Sequence, residues 1–219
     1  MIALPGHGFV MLSMPKCAST TLVTSLMGRA EVMMRINPRL KHMNARTFTN
    51  RMAPVLQTGG YQRDDYELVS LFREPVAWLE SWWRYRQRPA LQDDDNSRAA
   101  NSTADVSFDS FVGAYLDGAP GALKGRQARF IALSADLDIA VDRLFALERP
   151  DVWEGWIAEK IGEPLEVTMK NWSTSTSRPD LSRALRRRLE DHLRPELEIY
   201  EHLRAEGQWA PPRGHVPGR

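Results

Sequence analysis

The sequence predicts an α/β protein: a three-layer domain with a central, mainly parallel sheet flanked by helices. Three stretches carry that prediction, each a short apolar run suited to a buried strand and followed by a helix signal. Residues 8–13 are apolar up to Pro15, and from Ser19 the pattern turns helical, with Leu22, Val23, Leu26 and Met27 on one side and Gly28 as a stop. Residues 67–72 form a second such run, and Pro75 suits the first turn of a helix reaching about Arg88. Residues 141–148 read as another strand, followed by a helix over 152–161 that stops at Gly162. Strands alternating with helices are the pattern of a parallel sheet covered on both faces.

The remaining elements follow the same rules. A strand is expected over 32–36 and a helix from Ala45, interrupted by Pro54 and the Gly59-Gly60 pair, with His42 between them. Residues 89–106 are polar and include Asp93, Asp94 and Asp95, which suit a surface loop rather than a metal site. A Ser/Thr-rich loop over 172–177 precedes a long helix over 179–205, with Leu181, Leu185, Leu189, Leu193, Leu197 and Tyr200 on one face and a kink at Pro195. The 219 residues suit a single domain over 1–210 followed by a disordered tail over 211–219.

Composition excludes several function classes. The 29 basic side chains balance 28 acidic ones, so overall charge recruits neither nucleic acid nor membrane, and any anion site must be local. Arg183, Arg186, Arg187 and Arg188 are followed closely by Glu190, Asp191, Glu196 and Glu198, the pattern of a solvated, salt-bridged helix. The one cysteine, Cys17, excludes an internal disulfide framework, and no apolar run approaches the roughly 20 residues of a membrane span. Residues 1–13 lack a basic leader and a cleavage-site pattern, so a reducing cytoplasm is the expected location.

The chemistry concentrates in two places. In Pro15-Lys16-Cys17-Ala18-Ser19-Thr20-Thr21, small and hydroxyl residues join a strand to a helix start, where backbone N–H groups lack intrahelical partners. Such an end attracts anions, Lys16 adds a full charge, and Ser19 and Thr20 add hydroxyl donors. Taken alone, the same residues also suit an ordinary helix capped by Ser19 or Thr20. The loop is not a Walker A loop, because the Gly-Lys-Ser/Thr ending is absent. Nor is it a cysteine phosphatase loop, since Val23 stands where the arginine would be; Cys17 reads as a spectator whose thiol the helix end acidifies. The second place is Arg73, at a strand end, with Ser81 eight residues on in the following helix. A guanidinium fork plus a hydroxyl can hold a phosphate dianion. That helix also carries Trp78, Trp82, Trp83, Arg84, Tyr85 and Arg88, which could line a sugar-binding cleft but read better as a core-facing stripe with a solvated arginine face.

These two motifs, in this order, resemble those of the 3'-phosphoadenosine 5'-phosphosulfate (PAPS) dependent sulfotransferases. The loop is closest in form to the branch that includes the carbohydrate sulfotransferases, and the chain is similar to a compact bacterial-type member. The resemblance implies a P-loop-like sulfotransferase fold, contacts to the 5'-phosphosulfate from Lys16, Cys17, Ala18, Ser19, Thr20 and Thr21, and contacts to the 3'-phosphate from Arg73 and Ser81. It places a loop closing over the nucleotide near Asn171 and Ser173. It implies transfer of a sulfuryl group from PAPS as co-substrate to an acceptor hydroxyl, on a saccharide, a lipid-linked sugar or a small alcohol, with no metal required. Lys16 would stabilise the leaving oxygen. Of the five histidines, His42 stands where relatives carry a catalytic base, and an ordinary imidazole value near about 6.5 suits that task. Glu74 and Glu148 are the fallback bases, and Lys41 is placed to help bind an anionic acceptor. Two other readings stay open: a phosphotransferase with an unusual phosphate loop, and a non-catalytic binder of nucleotide or sulfated glycan.

Overall fold

The computed structural model describes residues 1–89, 101–167 and 179–217. The polar run at Asp93–Asp95 and the expected closing loop at Asn171 and Ser173 lie outside the described residues. Six strands form one sheet: β1 (Ile2–Leu4), β2 (Phe9–Leu12), β3 (Val32–Met33), β4 (Glu67–Phe72), β5 (Arg143–Ala146) and β6 (Gln208–Trp209), in the order β3-β1-β2-β4-β5-β6. The sheet is mixed rather than mainly parallel: of its five pairings, only β2 with β4 and β4 with β5 are parallel. The expectation misjudged the edges. Ile2–Leu4 is too short to read as a strand, yet it inserts between β2 and β3, pairing antiparallel with both and wholly buried.

The parallel centre follows the sequence. After β2 comes α1 (Ser19–Leu26); after β3 come α2 (Pro38–Lys41), α3 (Ala45–Thr47) and α4 (Ala53–Thr58). A π turn over Phe48–Met52 joins the last two, where Pro54 has no N–H to complete a regular ladder. After β4 comes α5 (Pro75–Arg86), then α6 (Phe108–Asp117) and α7 (Gln127–Phe130); after β5 comes α8 (Pro150–Ile161), closed by Gly162 in the left-handed region. The C-terminal ends of β2, β4 and β5 therefore lie side by side, each followed by a loop and a helix N-terminus.

Three expectations are corrected. The strand over 32–36 ends at Met33, because Asn37 and Pro38 begin a helical turn; Ile36 is left 85% exposed. The long helix over 179–205 is two helices, α9 (Arg183–His192) and α10 (Arg194–Glu206), with Pro195 in the first turn of the second, where its missing N–H costs nothing. Glu196 is not solvated: it is 1% exposed, accepts from Arg126 Nε at 3.0 Å, and also accepts the Ala128 N–H at 3.1 Å. The other charges on this face do pair at the surface, as in Arg188 with Asp117 and Arg194 with Asp191. Near the C-terminus, the His215 carbonyl accepts the Ile139 N–H at 3.0 Å. No helix among the described residues is long and apolar enough to cross a membrane.

The core lies on both faces of the sheet, with Phe9, Phe72, Phe145, Leu26, Leu79 and Ile157 almost wholly buried. Gly207 links α10 to β6 at φ 72°, and its carbonyl accepts the Ala146 N–H at 2.7 Å. A Cβ there would stand 2.8 Å from Val152 Cγ2 and 3.0 Å from Arg149 Cβ. Gly207→Ala is expected to destabilise the protein by about 2 kcal/mol or more through a strained φ and overpacking, seen as a lower urea midpoint at unchanged slope.

Candidate active site

The loop between β2 and α1 is held by strain and by its neighbours. Lys16 and Ala18 adopt left-handed φ values of 66° and 48°, which cost of order 1 kcal/mol each in side-chain-bearing residues. Cys17 N–H closes a turn onto the Met14 carbonyl at 3.3 Å, and Trp78 Nε1 donates to the Pro15 carbonyl at 3.0 Å. This twist turns the start of α1 outward. Ala18 occupies the cap position, and no side chain caps the helix, so neither Ser19 nor Thr20 plays the ordinary capping role that their sequence also allowed. The first-turn residues Ser19, Thr20 and Thr21 line a cavity of about 550 Å³.

Lys16 reaches over the same cavity, with Nζ 4.2 Å from the Tyr85 ring centroid and 5.8 Å from that of Trp82. Burial, followed by the charges of Arg88 and Arg73, lowers its pKa to about 8. Cys17 differs from expectation. It is 1% exposed, its thiol faces Gln127 Oε1 at 3.7 Å, and burial pushes its pKa well up, outweighing the nearby Arg73 and Lys16 charges. Among the predicted loop residues it alone does not line the cavity.

Arg73 continues β4 and is fixed from an element with no sequence signal. Gln127, 1% exposed at the start of α7, accepts the Arg73 N–H at 3.0 Å and donates Nε2 to the Arg73 carbonyl at 2.9 Å. The same amide oxygen takes the Cys17 thiol, so one side chain joins the two motifs. Arg73 Nη1 donates to the Lys16 carbonyl at 3.3 Å, while its buried Nε has no hydrogen-bond partner among the described residues. Ser81 faces the cavity from α5. Glu74 is not free to act as a base: its carboxylate caps α5, accepting Val76 N–H at 3.1 Å and Ala77 N–H at 2.7 Å. Glu148 lines the cavity, but one oxygen accepts the Glu74 N–H at 3.0 Å and the other faces the Tyr200 hydroxyl at 3.3 Å.

His42 is presented between two capped turns. Asn37 Oδ1 accepts Arg39 N–H at 2.9 Å, and Asn44 Oδ1 accepts Thr47 N–H at 2.8 Å. Between them the imidazole donates from Nδ1 to the Ser13 carbonyl at 2.7 Å, which leaves the Nε2 lone pair free in the neutral ring. Its pKa is lowered chiefly by burial; the Ser13 bond, next in size, opposes this, and the charges of Lys41, the N-terminal ammonium and Lys16 lower it further. Lys41 Nζ donates to Thr20 Oγ1 at 3.1 Å, which ties the histidine segment to the anion loop.

The structure thus brings Lys16, Ala18, Ser19, Thr20, Thr21, Lys41, His42, Arg73 and Ser81 around one cavity, and it adds residues that the sequence reading set aside or missed. Trp82, Tyr85 and Arg88 line it; Trp82 and Tyr85 follow Ser81 at i+1 and i+4 of α5, a spacing that could have assigned them to the face of Ser81, and Arg88 lies two residues past the helix end. Arg35 and Ile36 reach it from a segment expected to be strand. Five cations line the cavity, Lys16, Arg35, Lys41, Arg73 and Arg88, and none forms an ion pair among the described residues; Glu148 is the one lining carboxylate. No protein-family model matches the chain, and no curated protein matches it.

Gln127→Leu keeps the volume but strands the Arg73 backbone groups. It is expected to cost about 1–3 kcal/mol in denaturant unfolding. For His42, the lowered folded pKa means that the unfolded chain binds the proton more tightly. Its contribution to stability is present above the ordinary value of about 6.5 and is lost as pH falls below it. NMR titration of the ring is expected to show a midpoint under 6.5, and His42→Gln to remove that part of the acid sensitivity.

Proposed function

We propose that the protein is a sulfotransferase that moves a sulfuryl group from PAPS to an acceptor hydroxyl, on a sulfotransferase-type P-loop-like fold. The observation that carries this reading is the convergence of five cations that form no ion pair among the described residues, an uncapped helix start and a neutral, oriented imidazole on one cavity. A ligand with several negative charges compensates such a site, and PAPS has them at both ends. Its chemistry fits the groups present: Lys16 and the N–H groups of Ser19, Thr20 and Thr21 suit the 5'-phosphosulfate, and Arg73, with its unpartnered Nε, suits the 3'-phosphate together with Ser81. The Cys17 thiol faces Gln127 and not the cavity, so Cys17 would serve the anion only through the backbone of the loop.

When bound, the nucleotide supplies a sulfuryl group on a phosphate leaving group. His42 Nε2 accepts the proton of the attacking hydroxyl, whose oxygen forms the new S–O bond as the bond to the phosphate oxygen breaks. Lys16 compensates the charge that develops on that oxygen. Because burial already keeps His42 neutral at physiological pH, no proton must leave it first. The capping role of Glu74, and the Glu74 N–H and Tyr200 hydroxyl bonds to Glu148, favour His42 over either carboxylate as the base.

Calorimetric titration with the desulfated product, 3'-phosphoadenosine 5'-phosphate, tests the nucleotide site, with ATP as comparison and magnesium absent. Binding that requires the 3'-phosphate and weakens tenfold or more in Arg73→Ala is expected; a preference for ATP with magnesium would instead identify a phosphotransferase. His42→Ala is expected to retain nucleotide binding and to lose turnover by about 10²-fold or more. Retained turnover would remove His42 as the base. Binding is also expected to take up protons near pH 8 and to weaken above it, since the bound anion favours the charged form of Lys16.

A further inference from the structure

Part of the cavity is left over once the nucleotide groups are assigned. Lys16, Arg73 and Ser81 lie on the side of the anion loop and α5, whereas Arg35, Ile36, Pro38, Lys41 and His42 come from the single segment between β3 and α3. That segment, Arg35-Ile36-Asn37-Pro38-Arg39-Leu40-Lys41-His42, carries three permanent cations and no acid. Two of the four large hydrophobic side chains exposed among the described residues fall within it, Ile36 at 85% and Leu40 at 47%. The exposure is built in: the Asn37 cap and the Lys41 N–H to Asn37 carbonyl bond at 2.8 Å hold the turn that presents them. Lys41 sits at the boundary, bonded to Thr20, next to the one ring available as a base.

We infer that the acceptor is an anionic amphiphile, with its negative group held by Arg35 and Lys41 and its apolar part on Ile36 beside Leu40, so that its hydroxyl faces His42. The inference rests on the sulfotransferase reading for the word acceptor; the binding surface itself does not depend on it. A neutral sugar is the weaker match, because no Asn, Gln or Asp side chain lines the cavity among the described residues and the one carboxylate, Glu148, is engaged by Glu74 and Tyr200. Cations that form no ion pair among the described residues favour a ligand that brings the countercharge, and an isoleucine left in water favours one that covers it.

Three probes separate the two features: octyl β-D-glucuronide, octyl β-D-glucoside and methyl β-D-glucuronide, each titrated below its micellar concentration into protein saturated with 3'-phosphoadenosine 5'-phosphate. The octyl glucuronide is expected to bind at least about tenfold more tightly than either of the others. Arg35→Gln is expected to narrow the gap between the two octyl compounds by about three- to fivefold, and Ile36→Ser to narrow the gap between the two glucuronides by about tenfold. Both positions are exposed, and circular dichroism checks that each variant folds. Equal binding of the octyl pair, equal binding of the glucuronide pair, indifference to both substitutions or no binding at all would overturn the inference. Should the nucleotide itself fail to bind, the sulfotransferase reading falls. The same titration without nucleotide then decides the rim alone: binding that depends on Arg35 and Ile36 sustains the anionic amphiphile as its ligand, and its absence overturns it.

Discussion

The side-chain amide of Gln127 is the constraint on which the site depends. It satisfies both backbone groups of Arg73 and meets the Cys17 thiol, in a place that water does not reach. Parallel pairing of β2 with β4, in the register Leu12 opposite Ser70, brings the two strand ends next to each other, but pairing stops before Arg73. Beyond that point the chain would leave buried N–H and C=O groups without partners, at about 1–3 kcal/mol each. Gln127 supplies those partners from α7 and thereby sets the distance between the guanidinium and the lysine loop. The Arg73 to Lys16 carbonyl bond is a consequence of that placement.

The site is costly in isolation, and the rest of the protein sustains it. Two left-handed side-chain-bearing residues, an uncapped helix start and a cluster of unpaired cations all oppose folding. Elsewhere the same chain pairs its charges, as in Arg126 with the buried Glu196 and Arg143 with Glu67. The carboxylates nearest the cavity are engaged otherwise, Glu74 in a helix cap and Glu148 by a backbone N–H. Mutual repulsion and burial then lower the pKa of Lys16, and burial with nearby cations keeps His42 neutral. An anion placed among these cations would relieve their repulsion, so the grouping favours a negatively charged ligand.

Much of the centre was legible in the sequence. The strand at Glu67–Phe72 and the helices begun by Ser19 and Pro75 carry unambiguous signals, because apolar runs, caps and prolines act over a few residues. So does the anion character of Lys16 through Thr21. The edges were not legible, since a three-residue strand such as Ile2–Leu4 exists only by pairing on both sides, and Val32–Met33 ends where Asn37 finds a cap. The thiol of Cys17 illustrates the same limit: proximity to a helix start predicts acidity, and burial, invisible in the sequence, reverses it.

By itself the sequence determined the alternation of strand and helix at the centre of the sheet and the chemistry of the Lys16 and Arg73 segments, because each rests on local backbone chemistry or on residue type; the singling out of His42 came instead from a resemblance. Only the tertiary structure decided that the motifs share one cavity, that Gln127 joins them, that Glu74 serves as a cap, and that Arg35 and Ile36 complete the rim. Those relations link residues tens of positions apart. No periodicity encodes them; they follow from strand order, from the need to satisfy buried backbone groups, and from which side chains the packed core leaves facing outward.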